Sequence, residues 1–164
     1  MIIFINGSIN TGKSTISRIL SKELPRVALI EVDKLRGMIE WMPLEEAMPI
    51  NLENTVALTR NFSKNGLNII VEYPLLQRSY DYLTNELKDL NKKIYFFTLA
   101  PKIEIALTNR GSRDLNNWER DRIKRHYDKG MHQPNFGDII DNSEQSPEET
   151  AKIILDKIKN YAKR

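Results

Sequence analysis

Short apolar runs alternate along this chain with longer stretches whose apolar positions recur every three or four residues. Met1-Ile2-Ile3-Phe4-Ile5 is a continuous β-branched and aromatic run and predicts a buried strand. Ile16, Ile19, Leu20 and Leu24 follow at helical spacing. Val27 to Val32 predicts a second strand. Leu52, Val56 and Phe62 mark a helix ending near Gly66, a glycine suited to a C-cap. Leu67 to Glu72 is a third strand, and Tyr80, Leu83, Leu87 and Leu90 share the next helical face. Ile94 to Leu99 is a fourth strand, stopped by Pro101. Helices are expected over residues 103–109 and 117–131, with a short fifth strand at Ile139-Ile140. Pro147 opens a last helix with Ile154, Leu155 and Ile158 facing inward and Ser146 as its N-cap.

Strands that are apolar on both faces and alternate with helices predict an α/β fold of three αβα layers around a five-stranded parallel sheet. Ligands of such sheets sit beyond the carboxyl ends of the strands, so the residues just after each strand are where chemistry is expected. The length of 164 residues fits one domain, 1–164, with one sizeable core.

The residues after the first strand change the picture most. Gly7-Ser8-Ile9-Asn10-Thr11-Gly12-Lys13-Ser14 is a complete G-x-x-x-x-G-K-[ST] phosphate-binding loop, set between a strand and a helix as its function requires. Gly7 and Gly12 let successive backbone N–H groups curl into one hollow, which the positive end of the next helix also faces. Lys13 supplies a charge for the β- and γ-phosphates, and the Ser14 hydroxyl is the expected Mg²⁺ ligand. Ser8, Asn10, Thr11 and Thr15 complete the nucleotide-binding set.

Acids end the next two strands. Glu31-Val32-Asp33 closes the second, and alternation would place both carboxylates on one side. A carboxylate there can hold Mg²⁺ or accept a proton from an attacking hydroxyl, besides capping the following helix. Glu72 closes the third strand where a metal-holding acid belongs, although the usual residue is Asp; metal and substrate contact stand equally open for it. After the fourth strand, Arg110 and Arg113 flank Gly111 in a polar run that reads as a mobile lid around 110–120, able to cover a triphosphate. Arg120, Arg122 and Arg125 read as a solvated helix face. His126 and His132 lack metal spacing and read as surface or packing residues, and Trp118 as helix packing. Trp41 could line an aromatic acceptor pocket or the core.

Composition narrows little further. Hydrophobic residues are 40% and charged residues 29%, ordinary for a globular chain. The net charge of +3 allows anionic ligands, nucleic acid among them, without demanding any. With no cysteine, thiol catalysis and disulfides are excluded. No apolar run has the length of a membrane span. The first strand begins at the first residue and leaves no signal peptide, so a cytoplasmic protein is expected. A monomer and a homodimer both fit.

These motifs together resemble the small P-loop kinases, namely the shikimate, gluconate and nucleoside monophosphate kinases and the related chloramphenicol phosphotransferases. Gly7 to Ser14 matches their Walker A motif, and Glu31-Val32-Asp33 is similar to the acidic pair closing the second strand of shikimate kinases. Asn109-Arg110-Gly111-Ser112-Arg113 resembles the start of their lid, and residues 139–150 their final strand and base-bordering loop. Val32-Asp33-Lys34-Leu35 followed by Met42-Pro43 resembles the V-D-x-L … M-P segment of chloramphenicol phosphotransferases, whose aspartate implies Asp33 as base. Residues 40–58 match no sugar, shikimate or nucleotide signature. The resemblance implies a nucleoside monophosphate kinase-like fold with strand order 2-3-1-4-5, and ATP with Mg²⁺.

The leading expectation is therefore a small-molecule kinase. Lys13, Arg110 and Arg113 would stabilise the transferring phosphoryl group, and Asp33 would serve as base. Ser14 with Glu31 or Glu72 would hold the metal. Asp33, Arg36, Trp41 and Glu72 would contact the acceptor in a segment around 33–60. A nucleoside, nucleotide or oligonucleotide-end kinase and a non-catalytic ATP sensor are the alternatives.

Overall fold

The computed structural model describes residues 1–109 and 114–163. Five parallel strands form one sheet in the order β2-β3-β1-β4-β5: β1 (Ile2–Gly7), β2 (Val27–Glu31), β3 (Asn68–Glu72), β4 (Ile94–Leu99) and β5 (Asp138–Ile140). The helices are α1 (Lys13–Glu23), α2 (Val32–Gly37), α3 (Leu44–Lys64), α4 (Gln77–Leu87), α5 (Ile103–Ala106), α6 (Asn117–Asp128) and α7 (Pro147–Ala162). The order 2-3-1-4-5 is the one the resemblance implied.

Alternation along the strands sends side chains to two separate cores. Ile2, Phe4, Ile69 and Val71 pack on one side with Val56 of α3 and with Leu83 and Leu87 of α4. Ile3, Ile5, Ile70 and Phe97 pack on the other with Ile16 and Leu20 of α1 and with Ile154 and Ile158 of α7. Both faces are covered, which is why these strands read as unbroken apolar runs. Each fully buried Ile or Phe contributes about 1.5–3 kcal/mol.

Local boundaries depart from the sequence pattern in four places. β2 stops at Glu31, and Val32 already belongs to α2, so the strand alternation expected to pair Glu31 with Asp33 does not apply. The helix expected over 103–109 ends at Ala106, and α6 ends at Asp128, before Gly130 at φ 72°. The face shared by Tyr80 and Leu90 is not one helix: α4 ends at Leu87, and Lys88–Leu90 is a 3₁₀ turn. None of the described helices is long and apolar enough to cross a membrane.

Candidate active site

β1 delivers the chain to the phosphate loop through Asn6, which is fully buried. Its Oδ1 accepts from the Gly7 and Leu75 backbone N–H groups at 2.7 and 2.6 Å, and its Nδ2 donates to Thr98 Oγ1 at 3.0 Å. One amide therefore fixes the ends of β1 and β4 and the turn after β3. Gly7 has φ 143°, and a Cβ there would lie 2.6 Å from Thr11 Oγ1 and 2.7 Å from the Leu99 carbonyl oxygen. Asn10 takes a left-handed φ of 63°, a conformation asparagine tolerates. Its Nδ2 donates to the Ala106 and Thr108 carbonyls at 2.9 and 2.8 Å. Inside the loop, Thr11 Oγ1 donates to the Ser8 carbonyl at 3.1 Å and Lys13 Nζ to the same oxygen at 2.7 Å. Gly12, at φ 91°, leads into α1, whose first turn carries no acid. The positive helix end is thus left for an anion. Thr15 is exposed in that first turn.

Glu72 meets this loop from β3. Ser14 Oγ donates to Glu72 Oε1 at 2.5 Å. Glu72 is buried, and its Oε2 is closed to solvent with no hydrogen-bond partner among the described residues. Burial raises its carboxyl above the usual range; the Ser14 hydrogen bond and the Lys13 charge partly offset this, while Glu31 and Asp33 add to it. A hydroxyl beside a buried carboxylate with an unsatisfied oxygen is a hard-oxygen donor set that fits Mg²⁺. No cluster of three or more His, Cys, Asp or Glu able to hold a metal occurs among the described residues. A magnesium ion here would therefore also draw ligands from phosphates and water, as is usual for this ion.

Glu31 is the register partner of Glu72 on the neighbouring strand, yet its oxygens are engaged elsewhere. Arg18 Nη2 lies 2.7 Å from Oε1, and the Lys34 ammonium pairs with Oε2. The Lys34 hydrogen bond, then that of Arg18, holds its carboxyl below the usual range against its own desolvation. Asp33 lies exposed in the first turn of α2, near enough to Glu72 and Tyr73 to raise the affinity of both for a proton. It does not serve as the N-cap, which falls on Glu31 without a side-chain bond. Arg36 turns onto its own chain and donates to the Ile39, Glu40 and Met42 carbonyls at 2.6, 3.3 and 2.6 Å. It braces the turn before α3 and leaves Trp41 80% exposed beside exposed Met38 and Leu44. Arg110 and Arg113 lie outside the described residues.

Three contacts with the loop and its surroundings, and the exposure of Trp118, were not legible in the sequence. Asn142, after β5, is buried and donates to the Thr11 carbonyl at 3.0 Å, with its Oδ1 unpartnered among the described residues. Arg120 is not a solvated side chain: its guanidinium donates to the Leu107 carbonyl and, at 3.1 Å, to Asn109 Oδ1. It thereby ties α6 to the chain just before residue 110. His126 is neither a surface nor a packing residue alone, because its Nδ1 lies 2.9 Å from Ser8 Oγ. Trp118 does not pack into the core; it is 58% exposed, with the Arg122 guanidinium 5.1 Å from its ring centre. The Asn142–Thr11 and Ser8–His126 pairs join residues 131 and 118 apart in sequence, where no local motif signals them.

No family model and no curated protein matches the chain. Solved structures do match. A gluconokinase from Sinorhizobium meliloti 1021 is similar at a TM-score of 0.72, with 15% identity over 98% of this chain and 93% of that one. A tunicamycin resistance protein from Deinococcus radiodurans follows at 0.68, with 19% identity over 96% and 94%. Shikimate kinase from Aquifex aeolicus vf5 gives 0.61, with 18% identity over 99% and 98%. The chain has the fold of the small P-loop kinases. Within that P-loop kinase fold, the phosphate loop, Glu72 and α2 gather at the carboxyl edge of the sheet, where ligands of parallel sheets bind.

Proposed function

We propose that the protein is an ATP-dependent phosphotransferase that moves a γ-phosphate to a hydroxyl group of a small molecule. The observation that carries the proposal is the Ser14–Glu72 pair at 2.5 Å on the phosphate loop, with Asp33 close enough to perturb Glu72. A loop that only binds nucleotide needs no second carboxylate at that edge.

In this reading the backbone N–H groups of residues 7–14 and the end of α1 cradle the phosphates. Lys13 leaves the Ser8 carbonyl to meet the β- and γ-phosphates. Ser14 and Glu72 would hold magnesium, which when bound neutralises charge on the phosphate oxygens. Asp33 accepts the proton of the acceptor hydroxyl as that oxygen bonds to the γ-phosphorus and the bond to the leaving ADP oxygen breaks. Arg110 and Arg113, which lie outside the described residues, would spread the charge of the transferring group. Trp41, Met38 and Leu44, exposed before and at the start of α3, line the acceptor side. Glu31 and Arg36 support this region through their own ion pairs and carbonyl bonds. Most of the rate enhancement then comes from positioning and electrostatics. A cytoplasmic setting, where ATP is plentiful, accompanies the proposal.

Two substitutions separate its parts. Asp33→Asn should leave ATP affinity unchanged and lower transfer by about 10²–10⁴-fold, the usual worth of a general base. Lys13→Ala should lose both binding and transfer. An Asp33→Asn protein of near-normal rate would remove Asp33 as the base.

A further inference from the structure

His126 takes no part in the chemistry described so far. It stands on α6, 118 residues from its partner, half-buried against the phosphate loop. Its Nδ1 shares a 2.9 Å hydrogen bond with Ser8 Oγ, and Ser8 is only 2% exposed, so the serine side of that bond is shielded from water. The carbonyl of the same serine receives Lys13 Nζ at 2.7 Å and Thr11 Oγ1 at 3.1 Å. His126 therefore grips, by its side chain, the residue whose backbone holds the phosphate-binding lysine. Burial, reinforced by the charges of Arg122, Lys13, Lys129 and Arg125, pushes the imidazole down to about 4. It stays neutral at working pH, and a neutral imidazole can either donate to or accept from a serine hydroxyl.

We infer that His126 is a positioning residue of the phosphate loop: through Ser8 it fixes the peptide from which Lys13 reaches the γ-phosphate. When Lys13 turns to the nucleotide, the Ser8 carbonyl loses that partner. The Thr11 bond to that carbonyl and the His126 bond to the Ser8 side chain then remain to keep the peptide from rotating. Because Lys13 serves the β- and γ-phosphates, loosening Ser8 weakens recognition of the terminal phosphate more than that of the rest of the nucleotide. A structural brace would stabilise the protein without changing how it distinguishes ATP from ADP. The inference rests on the reading of this loop as an ATP site.

The test is calorimetric titration of magnesium ADP and of β,γ-imido ATP into wild type, His126→Leu, His126→Asn, Ser8→Ala and the Ser8→Ala/His126→Leu double variant. Thermal melts would confirm that each is folded. Asparagine carries a hydrogen-bonding atom where Nδ1 sits; leucine has the same branching without it. His126→Leu should lose about tenfold in affinity for the imido analogue and about twofold or less for ADP, the size of one buried hydrogen bond. His126→Asn should recover most of that loss, Ser8→Ala should reproduce it, and the double variant should be no worse than either single one. An unchanged ratio of the two affinities in folded His126→Leu overturns the inference. So does an equal loss for both nucleotides, or a His126→Asn protein as poor as the leucine variant. If the His126→Leu change prevents folding, Ser8→Ala decides on the same ratio. Wild-type protein that binds neither nucleotide would bring down the ATP-site reading itself; wild type that binds both while the variants keep its ratio would bring down only the role of His126.

Discussion

Glu72 is the residue on which stability and function pull in opposite directions. It buries a carboxylate with one oxygen unpartnered among the described residues, an arrangement that costs stability without a cation. Glu72→Gln should therefore raise the melting temperature of the metal-free protein at pH 7. The same change should raise the Mg²⁺ concentration needed for nucleotide binding by about 10–100-fold, as loss of a metal-site group typically does. A variant that gains stability while keeping its magnesium requirement would detach Glu72 from the metal. His126 gives a pH signature. Its folded value of about 4 lies below the ordinary histidine value of 6.5, so below pH 6.5 the unfolded chain binds a proton that the native state refuses. That contribution is complete above pH 6.5 and is lost as pH falls toward 4. His126→Asn should flatten stability over that window, as chemical denaturation at pH 7, 5.5 and 4.5 would reveal. At this scale the sequence was legible where a residue's placement is local. Lys13, Ser14 and Glu72 stand within or at the end of a strand–loop pattern, and the structure brings them together there. The long-range bonds of Asn6, Asn10, Asn142 and His126, to residues 69 to 131 positions away, are not local, and neither Asn10's place in the loop pattern nor the residues around the other three mark those partners.

The elements repeat that contrast. The central strands were readable because burial on both faces makes them continuous apolar runs, whereas β5, with Asp138 at its start and Ile139 46% exposed, was marked only by its two isoleucines. The break between β2 and α2 was not, because Val32 is as apolar as a strand residue and is fully buried, but as the start of a helix. α3 begins at Leu44, well before Leu52, the first apolar position used to recognise it. Its buried stripe includes Ala47, Asn51, Thr55, Thr59 and Ser63, small or polar side chains that a hydrophobic count passes over. The loop between β1 and α1 depends on backbone geometry. Gly7→Ala would force a methyl against Thr11 Oγ1 and the Leu99 carbonyl at a φ of 143°. It should abolish nucleotide binding and destabilise the protein by about 1–3 kcal/mol, the range for backbone strain at such a site. A folded Gly7→Ala protein with normal ATP affinity would contradict this geometry. Arg120 joins α6 to Leu107 and Asn109, so Arg120→Ala should cost about 1.5–3 kcal/mol, as expected for hydrogen bonds from a charged group. Denaturant melts would check the figure, and a loss under ~0.5 kcal/mol would return Arg120 to the solvated face.

Across the whole molecule, strand order decides which residues can meet. Placing β1 between β3 and β4 brings Glu72, the phosphate loop and the start of α5 to one edge, and β2 adds Glu31 and α2 beside them. That edge is where a nucleotide and an acceptor could be held together, and it is the basis for reading the protein as a kinase. The most direct test is transfer of labelled γ-phosphate from ATP-Mg²⁺ to pooled hydroxylated metabolites, nucleosides and nucleotides, hydroxyl-bearing antibiotics and short RNA, with Lys13→Ala as control. Label that appears in a small-molecule pool and depends on Lys13 is the predicted result, and it would name the acceptor class. Tight ATP binding with no Lys13-dependent label in any pool would contradict the account and leave a nucleotide sensor in its place.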